Sequence, residues 1–145
     1  MKTYYLIGII LLFCSCTAKI SPIEYGVDNC DFCKMGIVDN KHASQVVTDK
    51  GKNYKFDAIE CMISYTAENE QNQGPYLHIL VSDLTNPGTL IPAKEATFII
   101  SKNIPSPMGA FLSATKTNQE AQKLIEQNSG KIYTYTDIVK QIKRH

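Results

Sequence analysis

Hydrophobic positions fall in short runs along this chain, and most runs close at a turn-forming residue. Gln45 to Thr48 is β-branched at its centre. Asp49-Lys50-Gly51-Lys52 is a turn, and Tyr54-Lys55-Phe56 alternates apolar and polar as a returning strand, so a hairpin is predicted. Asp57 then stands where a helix N-cap belongs, with Glu60 three residues on at capping-box spacing. Ile59, Met62, Ile63 and Thr66 follow at helical spacing, and the polar stretch from Glu68 to Gly74 ends the helix. Tyr76 to Ser82 is a strand, Asp83 to Gly88 a turn, Thr89 to Ile91 a short strand and Glu95 to Ser101 another. Asn103 to Gly109 contains Pro105, Pro107 and Gly109 and is a loop. Thr117 to Asn128 reads as a helix, capped near Thr117 or Asn118 and closed by Gly130. Lys131 to Tyr135 is a strand, and Thr136-Asp137 opens a last short helix through Ile142. Hairpin, helix and strand thus occur in order over residues 44–82, and a similar order follows near 89–135. The pattern predicts an α+β fold with mostly antiparallel strands.

The N-terminal pattern is different. Tyr4 to Phe13 is an uncharged, mostly apolar run behind Lys2. It is about half the roughly 20 residues that a spanning helix needs, so it reads as a signal-peptide core. The run ends in Ser15-Cys16, which resembles the lipobox of bacterial lipoproteins. Lipid on Cys16 would hold the protein on a membrane through its acyl chains. Ala18 to Asn29 lacks sustained periodicity and reads as a tether. The expected organisation is a signal peptide over 1–15, a lipidated N-terminus and tether over 16–29, and one domain over 30–145. The expected location is the cell envelope, facing the periplasm or exterior.

Charge narrows the function further. Among 145 residues there are 15 Lys plus Arg against 14 Asp plus Glu, which gives no basic surplus for nucleic acid. Loss of Lys2 with the signal would leave no net charge, so long-range electrostatic steering of a partner is not expected. At 43% hydrophobic and 20% charged residues the chain has globular composition, not that of a disordered polyelectrolyte.

The chemistry lies in sulfur. Three groups stand out: Cys30-Asp31-Phe32-Cys33-Lys34-Met35-Gly36, Cys61-Met62, and Ser106-Pro107-Met108-Gly109. Two-residue spacing lets both thiols of a CxxC face one point, which suits a metal, a disulfide or thiol exchange. A thioether is a soft neutral donor, and thiolate with thioether favours Cu(I). The primary candidates are Cys30, Cys33, Met35 and Met108, with Cys61 and Met62 secondary because both fit a helix core. Cys30, Cys33, Cys61 and one histidine would also meet the needs of zinc. His42 is a reserve ligand near the motif, and His78 reads as structural.

The order of these motifs carries a resemblance. A lipobox, C-x-x-C-x-M-G, a strand pair with Gly51-Lys52 and Phe56-Asp57, Cys61-Met62 and Pro107-Met108-Gly109 together resemble the NosL family over about residues 28–112. The resemblance implies a membrane-anchored lipoprotein that handles Cu(I). Its recipient would be nitrous oxide reductase or its assembly machinery, where copper serves the copper–sulfide centre. It implies a fold of two ββαβ-like modules, similar to organomercurial lyase, and a copper-site role for Cys30, Cys33, Met35 and Met108. Family members often have glycine where this chain has Lys34. The function implied is metal transfer without catalysis: a thioether, the weaker donor, leaves first as acceptor ligands replace the donors one at a time. Two other readings of the motifs are a thiol–disulfide oxidoreductase using Cys30 and Cys33, and a lipoprotein stapled by a disulfide. After lipidation of Cys16 three thiols would remain, an odd number that cannot all pair within the chain.

Overall fold

Two small antiparallel sheets, built the same way, form the frame on which the sulfur atoms are placed. The computed structural model describes residues 18–69 and 71–143; the apolar run and Cys16 lie outside the described residues, as does His145. The first module consists of β1 (Ser44–Thr48), β2 (Asn53–Phe56), α1 (Ile59–Asn69), β3 (Tyr76–Ser82) and β4 (Leu90–Pro92). The second consists of β5 (Thr97–Ile100), β6 (Leu112–Thr115), α2 (Asn118–Asn128), β7 (Lys131–Tyr133) and α3 (Tyr135–Ile142). The first sheet has the order β2-β1-β3-β4 and the second β6-β5-β7. In each module a hairpin is followed by a helix, and the next strand returns to pair with the first strand of the hairpin. The expected ββαβ order is therefore present twice, in an α+β architecture.

The details depart from the sequence pattern in four places. The strand at Leu90–Pro92 belongs to the first module, where it pairs with β3. The second module draws its second strand from Leu112–Thr115, a stretch without any strand expectation. Every residue of β6 is buried, and its sequence, LSAT, is only four residues long with small Ser and Ala at its centre, so its apolar–polar alternation is too short to stand out. The last helix is capped by Thr134, whose hydroxyl accepts from the Asp137 N–H at 3.3 Å, so it begins earlier than Thr136. The fourth concerns residues 18–29, which lie against the first sheet instead of hanging from it. Ser21 N–H donates to Asn53 Oδ1 at 3.0 Å, and Gln45 Nε2 donates to the Ser21 carbonyl at 2.9 Å. Ile23 and Tyr25 pack on the core, so the folded unit begins ahead of residue 30.

The core is one continuous apolar cluster. It joins Val46, Phe56, Ile59, Met62 and Val81 of the first module to Phe98, Leu112, Ala114 and Ile138 of the second. His42 adds a polar joint between the modules. Its ring accommodates Asp39 Oδ2 at 2.8 Å on Nδ1 and Ser113 Oγ of β6 at 3.0 Å on Nε2. That engagement removes it from the reserve of free ligands. At the far end Thr117 caps α2 in a full capping box with Glu120.

Candidate metal centre

The CxxC segment folds as a tight backbone loop whose geometry aims both thiols inward. Cys30 N–H donates to the Met35 carbonyl at 2.7 Å, and Lys34 N–H returns to the Cys30 carbonyl at 3.0 Å. Asn29 and Gly36 form a β-bridge that closes the loop. The turn requires a left-handed residue, and Lys34 occupies it at φ +68. A β-carbon is strained there, which gives a physical reason for glycine at this slot in the family pattern.

Asp31 locks the loop to the edge of the first sheet. Its N–H donates to the Lys55 carbonyl at 2.8 Å, and Lys55 N–H donates to its carboxylate at 2.7 Å. Lys55 Nζ completes the anchor with Asp28 Oδ2 at 2.6 Å. Two residues beyond Lys55 the chain reaches Asp57 and enters α1, so the knuckle sits over the start of that helix. Asp57 lies two residues ahead of α1 and Cys61 in its first turn.

Four donor atoms converge there. The sulfurs of Cys30, Cys33 and Cys61 and a carboxylate oxygen of Asp57 all lie within 4.8 Å of one another. All three thiols are free. Cys30 and Cys61 are buried, while Cys33 is half-buried and its thiol donates to Asp57 Oδ1 at 3.4 Å. Asp57 is therefore a member of the site instead of the helix cap that its position predicts. Glu60 likewise leaves the capping-box role: it accepts hydrogen bonds from Ser106 Oγ and Ala110 N–H.

The protons are distributed unequally. The Cys61 thiol donates to Cys30 and holds the latter's pKa down to about 6, helped by the Asp57 and Cys33 backbone N–H groups and opposed by burial. The N-terminal end of α1 adds a favourable field for a thiolate. Cys61 pays the reciprocal effect, since the bond to Cys30 and burial push its pKa far above the ordinary thiol range. Burial also raises Cys33, against the Met35 N–H that donates to its sulfur. The site at neutral pH thus contains one thiolate, Cys30, flanked by two protonated thiols.

The methionines sit at different depths. Met35 follows directly in the knuckle and Met108 lies in the β5–β6 connection; they are 48% and 41% exposed, against 0% for Cys30. Met108 shares a groove of about 610 Å³ with Phe32, Glu60, Cys61, Gly109 and Ile142. The motif loop and the distant Pro107-Met108-Gly109 loop therefore open onto one groove, beside the thiol cluster. Met62 is fully buried in the apolar core. His78 lies in β3, and no histidine joins the cluster among the described residues.

Comparison with known proteins identifies the fold and the family. Among solved structures, the crystal structure of the copper chaperone NosL from Shewanella denitrificans superposes with a TM-score of 0.70 at 21% identity, covering 83% of this chain and 95% of that one. No protein in a search of the curated proteins matches the chain significantly. The NosL family model matches residues 24–142, which takes in the knuckle, both modules and the Met108 loop. The chain belongs to the NosL family.

Proposed function

We propose that this protein binds one Cu(I) ion with sulfur atoms of Cys30, Cys33 and the methionines Met35 and Met108, and passes it to an acceptor without catalysing a reaction. The carrying observation is the convergence of three free thiols and Asp57 within 4.8 Å beside a groove that Met108 lines. Cu(I) prefers soft donors, and a thiolate that is already formed at neutral pH meets it without first losing a proton. Cys30 is the principal ligand. Cys61 supports it as the hydrogen-bond donor that keeps it ionised, and Asp57 takes the Cys33 proton's hydrogen bond.

The depth gradient suits transfer. The exposed thioethers are the weaker ligands and the first that an acceptor's donors can replace, while the buried thiolate is released last. The proposed recipient is nitrous oxide reductase or its assembly machinery. Anchoring through lipid on Cys16 would raise the local concentration of the donor near its acceptor. Among the described residues no helix is long and apolar enough to cross a membrane. Mass spectrometry of the mature protein tests the lipid anchor, with a lipid-modified Cys16 as the expected first residue and an unmodified start beyond it as the contrary result.

Deleting this chain from a host that makes nitrous oxide reductase is expected to leave that enzyme short of its copper–sulfide centre, with no rescue by a Cys30→Ser copy. A fully loaded enzyme in the deletion strain contradicts the reading. The low pKa of Cys30 also meets a requirement of thiol–disulfide exchange. An insulin-reduction assay separates the two readings: we expect no turnover, and turnover that ignores Met108 would favour the oxidoreductase.

A further inference from the structure

Glu60 joins the two halves of the site, and nothing in the sulfur chemistry accounts for it. It lies on α1 immediately before Cys61 and is only 7% exposed. Its Oε1 accepts from Ser106 Oγ at 2.7 Å and from Ala110 N–H at 3.3 Å. Those two donors stand on either side of Met108, two residues before it and two after. Within the same loop Gly109 N–H donates to the Ser106 carbonyl at 3.1 Å, closing a turn in which Gly109 takes φ +78. One carboxylate oxygen thus grips both ends of a tight turn that presents Met108 to the groove.

The arrangement is costly. Glu60 Oε2 is buried with no hydrogen-bond partner among the described residues. A carboxylate oxygen withdrawn from water without a partner destabilises the fold, and an apolar side chain of similar volume would remove that cost. An apolar side chain could not, however, hold the loop. The modules meet through apolar packing elsewhere, so the core itself does not require an acid at this position.

We infer that Glu60 is the positioning residue for Met108: it fixes the Ser106–Ala110 turn against α1, so that the thioether is held beside the cysteine cluster instead of ranging with a free loop. This rests on the reading of Met108 as a copper ligand. Glu60 is not itself a ligand here; it acts through the loop. Supporting interactions of this kind typically change metal affinity about 10–100-fold when removed.

Cu(I) dissociation constants measured by competition with a chromophoric chelator, under anaerobic reducing conditions, test the inference across five variants. Glu60→Leu and Ser106→Ala are each expected to weaken binding, the former about 10–100-fold. Glu60→Gln keeps an amide oxygen able to accept both bonds, so it should stay close to wild type. Met108→Leu should weaken binding, and adding Glu60→Leu to it should cost nothing further, because the loop no longer carries a ligand. Circular dichroism confirms that each variant is folded, and Ser106→Ala keeps the test alive if Glu60→Leu does not fold. Additive losses in the double variant, or a Glu60→Gln as weak as Glu60→Leu, overturn the inference. If Met108→Leu binds copper normally, the assignment of Met108 fails and the inference with it. If Met108→Leu is weak while Glu60→Leu and Ser106→Ala are unaffected, the inference alone fails.

Discussion

In the proposed site copper and protons would compete for Cys33 at neutral pH but scarcely for Cys30. Cys30 is ionised above a pKa of about 6, whereas Cys33 is pushed above its ordinary value of 9.0 and enters the complex by losing a proton. A site using both thiolates therefore gains affinity about tenfold per pH unit from roughly pH 6 upward, and about twice as steeply in logarithmic terms below it. Chelator competition across that range checks the slope; a flat profile above pH 6 would mean that Cys33 does not bind as a thiolate. Lys34 gives a second test. Its left-handed backbone costs about 1–2 kcal/mol, and glycine returns part of that as unfolded-chain entropy. Lys34→Gly is expected to raise stability by about 0.5–1 kcal/mol, read as a higher urea midpoint at unchanged slope. A lower midpoint would contradict the strain assigned to the knuckle. Cys30 and Cys33 were legible as a converging pair because two-residue spacing is a local property. Asp57 and Glu60 were not: both match a capping box by letter, and only contacts from distant segments redirect their carboxylates to Cys33 and Ser106.

The elements were most legible where amphipathic pattern and cap coincide. At α2, Thr117 and Glu120 take the capping-box roles that their spacing implies, whereas Ser129, not Gly130, is the residue at the C-cap. β6 shows the limit, because its LSAT alternation spans only four residues, both faces are buried, and Ser113 and Ala114 at its centre have little β propensity. The end of α2 yields a prediction of its own. Gly130 takes φ +133, and a β-carbon there would sit 2.5 Å from the Ile100 carbonyl oxygen. Since Ile100 is the last residue of β5, that contact sets how closely helix and strand meet. Gly130→Ala should lower stability by about 1–3 kcal/mol through overpacking and strain. Thermal or urea unfolding reads the loss, and a neutral result would show that the backbone relaxes there without cost.

On the scale of the molecule, the proposed site with Met108 is complete only when both modules are folded together. The knuckle is fastened to β2, Cys61 rides on α1, and Met108 belongs to the hairpin connection of the second module. Neither module alone holds the complete proposed donor set, so copper binding by that set would be coupled to the apolar and His42–Ser113 contacts between them. The sequence marked three sulfur-bearing stretches but not how they meet, because that depends on α1 lying under the knuckle and on Glu60 gripping the later loop. The most direct measurement is an anaerobic Cu(I) titration against a competing chromophoric chelator, comparing wild type with Cys30→Ser plus Met108→Ala. Wild type should take up one tightly held equivalent and the double variant none under the same competition. A double variant that holds copper as wild type does would contradict the account.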